Sequence, residues 1–207
     1  KSNQIVCVCM NKWLLIFLTL LFISCGKERA NQNEIFQLDI PQGFPDPIIP
    51  EDNQLTYERI ELGKRLFYDP ILSKDGTISC ESCHKQEFAF ADNVTISAGV
   101  EGRLGFRNSM SLANMAYQDA LMRESGVPTL EMQVLVPIQD HNEMDFNILS
   151  VAEKLNLDST YVNASVRAYN RIPDAFVITR ALASFQRTML SGDSDYDRNL
   201  LNEKEEN

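Results

Sequence analysis

The sequence contains the pentapeptide Cys80-Glu81-Ser82-Cys83-His84, which has the form C-x-x-C-H. Two thiols three positions apart, followed directly by an imidazole, are typical of covalent c-type haem attachment. In this interpretation Cys80 and Cys83 form thioethers with the vinyl groups of the porphyrin, and His84 coordinates the iron on one axial face. We therefore expect one covalent haem c in this chain.

Two other uses of the same pentapeptide remain open. One is half of a zinc site, and the other is a C-x-x-C redox pair. A four-ligand zinc site needs two further Cys or His side chains nearby. The remaining ones in the chain are His141, Cys7, Cys9 and Cys25. The three cysteines belong to an N-terminal segment that we predict to lie outside the folded domain, so haem attachment is favoured.

The overall composition is that of a globular protein with an acidic surface. Of the 207 residues, 44% are hydrophobic and 23% are charged, which is ordinary for a folded domain. The formal net charge of −10 argues against a nucleic-acid partner, because nucleic-acid binding requires a basic patch. An acidic surface can steer a basic partner protein, although solubility alone accounts for such a charge.

The N-terminal region has the organisation of an export signal. Met10-Asn11-Lys12 supplies a short positive segment, residues 13–23 are almost entirely apolar, and Ser24-Cys25-Gly26 follows. An apolar core of this length is too short to span a bilayer and is typical of a secretory signal. Because a cysteine follows the boundary, residues 10–25 resemble a bacterial lipoprotein signal peptide in which Cys25 is lipidated. A plain signal peptide and a buried apolar helix are the alternatives.

This interpretation predicts a periplasmic protein that is anchored to the outer membrane only through a lipid at Cys25. Residues 1–9 precede the first methionine and are interpreted as a leader that is not part of the native protein. Residues 26–54 are polar and then proline-rich, and are predicted to form an extended tether. The folded domain is expected to occupy residues 55–207.

The pattern within this domain predicts a mainly α structure with long loops. Thr56 is a suitable N-cap for a helix that Asp69-Pro70 ends. Residues 71–110 are rich in Gly, Ser, Asn and Asp and show no sustained period. They are predicted to be loops around the cofactor, in which residues 95–97 form at most a brief strand.

Three further helices are predicted in the C-terminal part. Ser150 and Glu153 have the spacing of a capping box that opens a helix through Leu157. Apolar residues repeat at helical spacing in the two segments that follow, and we expect them to pack in the core. The first stripe is Val162, Val166 and Tyr169, and the second is Ile178, Leu182, Phe185 and Met189.

A series of short motifs extends over the chain from about residue 40 to residue 200. The motifs are Leu62-Gly63-Lys64-Arg65-Leu66-Phe67-Tyr68-Asp69-Pro70, Leu72-Ser73, Ile78-Ser79 with the haem pentapeptide, Gly105-Phe106-Arg107-Asn108, Leu130-Glu131-Met132-Gln133, Pro137-Ile138, Glu143-Met144, Ala181-Leu182-Ala183-Ser184-Phe185-Gln186-Arg187-Thr188 and Asp197-Arg198. In order and spacing they resemble the N-terminal half of bacterial di-haem cytochrome c peroxidases, a family that includes the MauG-type enzymes. The resemblance implies that residues 55–207 form a cytochrome c-like, peroxidatic haem domain. It also implies that a second haem domain is missing here, so that the full protein carries two haems.

The same resemblance assigns catalytic roles to two residues. Glu143 matches the family's catalytic glutamate, which moves a proton between the two oxygens of hydrogen peroxide as general base and then as acid. Gln133 matches a pocket amide that holds peroxide or water by hydrogen bonds. Without the resemblance, Glu143 is interpreted as a solvated loop residue and Gln133 as part of a polar helix face.

Further residues are assigned by position in the family pattern. Asn108 falls where the family places a ligand to calcium, a cation that takes oxygen donors. Arg107 is suited to pair with a haem propionate, and a surface arginine is the alternative. Many members have a histidine on the distal face of the haem where this sequence has Val100, which cannot coordinate iron. His141 is the only other histidine. It is a candidate ligand that could swing onto the iron, although a lone loop histidine is usually solvated.

These features predict an exported haem peroxidase that reduces hydrogen peroxide with electrons from a small periplasmic cytochrome or copper protein. A MauG-like oxidase acting on a protein substrate would use the same haem. The alternative from another class is a non-catalytic electron-transfer cytochrome c, in which Met110, Met115 or Met144 occupies the sixth iron position. A second copy of the chain, forming a homodimer, is a further candidate partner. If both haem domains are needed, this fragment is inactive by itself.

Overall fold

The computed structural model describes the backbone of residues 34–205 and the side chains up to residue 200. This part of the chain forms seven α-helices joined by 3₁₀ turns and loops. They are α1 (Tyr57–Tyr68), α2 (Leu130–Gln133), α3 (Leu135–Gln139), α4 (Ile148–Asn156), α5 (Ser159–Tyr169), α6 (Ala175–Gln186) and α7 (Asp195–Glu205). None of the described helices has the length and apolar character that a membrane crossing requires. The mainly α class is confirmed.

The N-terminal predictions fall largely outside this part of the chain. The leader of residues 1–9, the signal peptide of residues 10–25 and the lipidation site Cys25 all lie outside the described residues. The same is true of the first part of the tether predicted for residues 26–54. Those assignments stay predictions.

The described part of the predicted tether packs on the helical domain. Phe36 N donates a hydrogen bond to Leu55 O at 2.9 Å, and the Phe36 side chain lies against the core. Asn53 is fully buried, and its amide donates to Glu131 Oε1 at 2.9 Å and to Arg180 O at 3.0 Å. The contacts of Phe36 and Asn53 could not be predicted from the polar and proline-rich composition, because their partners lie far away in the sequence.

Helix α1 begins and ends where the sequence predicts. Thr56 Oγ1 accepts a hydrogen bond from Arg59 N at 3.3 Å, which is the expected N-cap, and Asp69 follows the last residue of the helix. Residues 71–110 contain 3₁₀ turns, two isolated β-bridges and irregular structure, in agreement with the predicted loops. The brief strand considered for residues 95–97 is not formed.

Helix α4 begins earlier than the predicted capping box. The Asn147 side chain accepts a hydrogen bond from Leu149 N at 2.8 Å and is therefore the N-cap. As a result the helix starts at Ile148, and both Ser150 and Glu153 lie inside it. Asn147 caps the helix in place of Ser150 because its short amide side chain reaches the free N–H groups of the first turn.

Helix α5 faces the core with a different stripe from the predicted one. Val166 is 43% exposed, whereas the buried residues of the helix are Tyr161, Ser165 and Ala168. Tyr161 OH donates a hydrogen bond to Asp69 Oδ2 at 2.6 Å. This hydrogen bond fixes the rotation of the helix about its axis, and it cannot be predicted from the spacing of apolar residues.

Helices α1 and α6 cross at close range in the core. The stripe predicted on α6 is confirmed for Ile178, Leu182 and Phe185, which are buried. Met189 is also buried, but it follows the end of the helix at Gln186. A Cβ placed on Gly63 would lie 1.8 Å from Ala181 O and 3.0 Å from Phe185 Cβ. The distance of 1.8 Å to Ala181 O is far shorter than a van der Waals contact, so only glycine permits the observed crossing.

Replacement of Gly63 by alanine is expected to lower the free energy of unfolding by about 2–3 kcal/mol, because the added methyl group would have to displace the backbone of α6. In an unconstrained helix the same change would be stabilising. The matched control is Gly126→Ala, whose Cβ would meet no described atom within 4 Å. Urea unfolding of the haem-loaded protein, followed by circular dichroism, measures the difference. Equal stability of the two variants would contradict the close crossing.

Candidate functional site

A cavity of about 520 Å³ opens beside the C-x-x-C-H turn. Cys80, Cys83 and His84 all line it, so the structure brings the predicted attachment residues to one site. Phe67 and Leu182 extend into its wall from the crossing of α1 and α6. The size and the largely apolar walls are those of a site for a cofactor.

The local backbone directs the two sulfurs and the imidazole to the same side. Residues Cys80–Ser82 form a 3₁₀ turn, in which Ser79 N donates to Ser82 Oγ at 3.0 Å. The next turn is closed by a hydrogen bond from His84 N to Cys80 O at 3.0 Å. Because the chain turns tightly here, three reactive side chains that are adjacent in sequence also share one wall of the cavity.

Burial changes the acidity of both thiols. Enclosure by protein raises the pKa of Cys80 to about 12. Burial, followed by the negative charge of Asp92, also raises the pKa of Cys83. A C-x-x-C redox pair depends on a lowered thiol pKa, so the direction found here argues against that alternative.

A hydrogen bond to the backbone fixes the His84 ring in the cavity wall. Its Nδ1 donates a hydrogen bond to Phe90 O at 2.8 Å, which leaves the lone pair of Nε2 available for coordination. Burial lowers the pKa of His84 and therefore favours the neutral imidazole that binds metal. Phe90 adopts a φ of 58°, which is rare for a bulky residue. Its amide donates to Lys85 O at 2.8 Å, so the turn that presents the Phe90 carbonyl is fixed.

Glu143 faces the same cavity from the loop that follows α3. Its side chain keeps a large exposed fraction because it opens into the cavity, yet the surrounding protein removes much of its hydration. This burial, with the negative charge of Asp140 second, raises the pKa of Glu143. A carboxyl group with a raised pKa in a cleft is suited to general acid–base chemistry.

Two amide side chains in the cavity wall are incompletely bonded. Gln133, at the end of α2, lines the cavity, and its Nε2 lies 3.9 Å from Met122 Sδ. Gln186 on α6 is also buried there. Neither amide oxygen finds a hydrogen-bond partner among the described residues. Gln186 is not predicted from the sequence as a cavity residue. Its position one helical turn after Leu182 places both residues on the same face of α6, and this spacing is the signal that could have identified it.

These residues fit a covalently bound haem. The porphyrin would lie against the apolar walls, with thioethers at Cys80 and Cys83 and His84 Nε2 on the iron. The unpaired amide oxygens would accept hydrogen bonds from water or peroxide bound in the cavity, since buried amide oxygens without partners are costly. Among the side chains that the structure describes, residues 34–200, no cluster of three or more His, Cys, Asp or Glu could hold a metal ion. The zinc alternative therefore finds no support in this part of the chain.

Arg107 and Asn108 lie at the rim of the cavity and are already paired. Arg107 forms an ion pair with Glu124, and Asn108 Oδ1 accepts a hydrogen bond from the guanidinium of Arg123. A haem propionate at Arg107 or calcium at Asn108 would have to replace these contacts. Both assignments stay predictions.

The residues considered for the sixth iron position differ in their placement. Val100 is buried, and its N–H donates to Glu143 O at 2.9 Å. The His141 side chain is 70% exposed and contacts Asp145, as expected of a solvated loop residue. The three methionines considered for this position all line the cavity, so the thioether alternative stays open. They are Met110, Met115 and Met144.

A sequence model of the di-haem cytochrome c peroxidase family matches residues 57–205. The chain is 31% identical over 188 residues to the methylamine utilization protein MauG of Methylophilus methylotrophus, which covers 89% of this chain and 55% of that protein. It is 34% identical over 155 residues to the cytochrome-c peroxidase IdrP1 of Pseudomonas sp. (strain SCT), which covers 72% of this chain and 39% of that protein.

Among solved structures, a MauG-like protein associated with microbial copper homeostasis superimposes with a TM-score of 0.75 at 34% identity. The match covers 81% of this chain and 51% of that one. The chain thus spans about half the length of the proteins it matches. This likeness confirms the cytochrome c-like, mainly α fold.

Proposed function

Because this chain belongs to the di-haem cytochrome c peroxidase family, we propose that it is the peroxidatic haem domain of an enzyme that reduces hydrogen peroxide. The family's cofactor is c-type haem, and the described cavity has the residues to hold one. The observation that carries the proposal is the position of Glu143, a carboxyl with a raised pKa that faces the same cavity as His84.

The protein residues would handle the protons of the reaction. When bound, the haem supplies the iron that takes up hydrogen peroxide and the redox chemistry that cleaves it. Glu143 accepts a proton from one peroxide oxygen and, as the conjugate acid, delivers it to the other oxygen, which leaves as water. Gln133 orients the peroxide by hydrogen bonds from its amide. Two electrons and two protons are consumed for each peroxide, and two waters result.

The electrons would come from a small periplasmic cytochrome or copper protein. A basic donor would be attracted by the acidic surface, since the chain has a formal net charge of −10. Such an encounter requires export, which the signal peptide at residues 10–25 would provide. Lipid at Cys25 would keep the enzyme on the outer membrane.

The full-length, haem-loaded protein tests this function. We expect its ferric absorption and electron paramagnetic resonance spectra to contain a high-spin haem, and peroxide to oxidise a reduced small cytochrome in its presence. Wholly low-spin iron that does not react with peroxide would instead identify an electron-transfer cytochrome c. Because MauG is among the relatives, the same experiment also tests for a MauG-like oxidase. Peroxide consumption without oxidation of the small cytochrome, but with oxidation of a protein substrate, would identify a MauG-like oxidase.

A further inference from the structure

The loop that carries Glu143 is closed by hydrogen bonds of its own. Asn142 N donates to Asp140 Oδ1 at 2.7 Å, and Glu143 N donates to Asp140 O at 3.1 Å. Asp145 N also donates to Asp140 O at 2.9 Å. These bonds determine the shape of the loop. They do not determine how the loop is placed against the rest of the cavity.

Two neighbouring segments fix that placement by backbone contacts. Val100 N donates to Glu143 O at 2.9 Å, and Lys74 N donates to Met144 O at 3.0 Å. The approach is close, since a Cβ on Gly99 would lie 2.5 Å from Glu143 O. The Glu143 loop is therefore held by residues 74 and 99–100, which belong to different parts of the chain.

The same segments are joined by one carboxylate, in what we term the Asp145 cluster (Lys74, Arg103, His141 and Asp145). Asp145 Oδ2 accepts hydrogen bonds from Lys74 Nζ at 2.9 Å and from Arg103 Nη2 at 2.8 Å. Its Oδ1 lies 3.3 Å from His141 Nδ1. The hydrogen bond from Lys74, with those from Arg103 and His141, lowers the pKa of Asp145. The side chains of Asp145 and Arg103 are only 19% and 22% exposed.

The backbone of Asp145 is also held in an uncommon conformation. Its φ is 48°, in the left-handed region, which is uncommon for non-glycine residues although aspartate enters it more readily than most. Such conformations persist where the surroundings over-determine them, and they concentrate near functional sites. The Asp145 cluster supplies these surroundings two residues away from Glu143.

We propose that Asp145 is a positioning residue, which holds the Glu143 carboxyl in its working position by binding Lys74 and Arg103. This inference rests on the proposed peroxidase function. The role assigned to the cluster is the placement of the Glu143 loop. A displacement of a catalytic group by about 1 Å can slow a reaction by about 100-fold.

The test is Asp145→Asn in the full-length, haem-loaded protein. We expect kcat for peroxide reduction to fall by about 10- to 100-fold with little change in KM, and haem content to stay as in the wild type. Cyanide binding gives a readout without turnover. Hydrogen cyanide must lose its proton to a nearby base before it binds ferric iron, so the association rate is expected to fall in parallel. Asp145→Glu, which keeps the charge, is expected to restore part of both rates.

Two further variants make the result decisive. Glu101→Gln removes the other carboxylate bound by Arg103, at 2.9 Å, whose side chain is 64% exposed. It is expected to leave both rates unchanged. Arg103→Gln leaves Asp145 bound to Lys74 and should give an intermediate loss, which supports the inference even if Asp145→Asn fails to fold. Normal kcat and cyanide rates in Asp145→Asn would overturn the positioning role alone, whereas normal turnover in Glu143→Gln would overturn the proposed function as well.

Discussion

Replacement of Glu143 by glutamine is expected to lower peroxide turnover by about 100- to 10,000-fold, the usual contribution of a general acid–base group. Glutamine has nearly the same shape and still faces the cavity, but it cannot accept the proton from peroxide. Haem content and the ferric spectrum are expected to change little, because the thioether and His84 attachments are untouched. Steady-state oxidation of a reduced small cytochrome by peroxide measures the effect. The matched control is Glu153→Gln on the exposed face of α4, which should retain full turnover.

The pH dependence of the wild type provides a second check on the same carboxyl. In the proposed reaction Glu143 acts as a base only when deprotonated, so turnover is expected above its pKa and is expected to be lost as the pH falls through it. Burial raises this pKa above the ordinary glutamate value of 4.5. We therefore expect the acid limb of kcat/KM to lie above pH 4.5 and to be absent from the residual activity of Glu143→Gln. An acid limb that is the same in both proteins would assign the titration to another group.

The parts of the fold that the sequence predicts well are those with local signals. The boundaries of α1 follow from the capping side chain of Thr56 and from Asp69-Pro70, which act within one turn of the residues they affect. The haem pentapeptide is equally local, because a single tight turn is enough to bring Cys80, Cys83 and His84 to one wall. Glu143 was found through its match to a family motif, and the structure places it in the cavity.

The parts that the sequence does not predict depend on distant partners. Asn53 looks like a polar linker residue until Glu131 and Arg180, far along the chain, are folded against it. The rotation of α5 is set by Tyr161, whose hydroxyl group reaches Asp69. The Asp145 cluster likewise joins residues 74, 103 and 145. No periodicity or spacing encodes such contacts, since each requires the tertiary structure that it helps to stabilise.

Replacement of both Cys80 and Cys83 by alanine is expected to abolish covalent haem completely, because no other described cysteine lies at the cavity. The protein should also lose its cooperative thermal transition. A cavity of about 520 Å³ lies between the α1–α6 crossing and the loops, and without a tethered porphyrin the apolar side chains around it lose their packing partner. Haem staining after denaturing electrophoresis and the pyridine haemochrome spectrum measure attachment, and circular dichroism measures unfolding.

The single variants and a charge control separate attachment from general damage to the turn. Cys80→Ala and Cys83→Ala each leave one thioether, so each is expected to retain haem with a haemochrome band shifted by the one unsaturated vinyl group. Glu81→Gln alters the same turn without removing sulfur and should retain the wild-type spectrum. Covalent haem in the double variant would place the attachment elsewhere in the chain. If the wild type shows no haemochrome after maturation in a host competent for c-type cytochromes, the cavity does not hold a haem, and Glu143 has no iron-bound substrate on which to act.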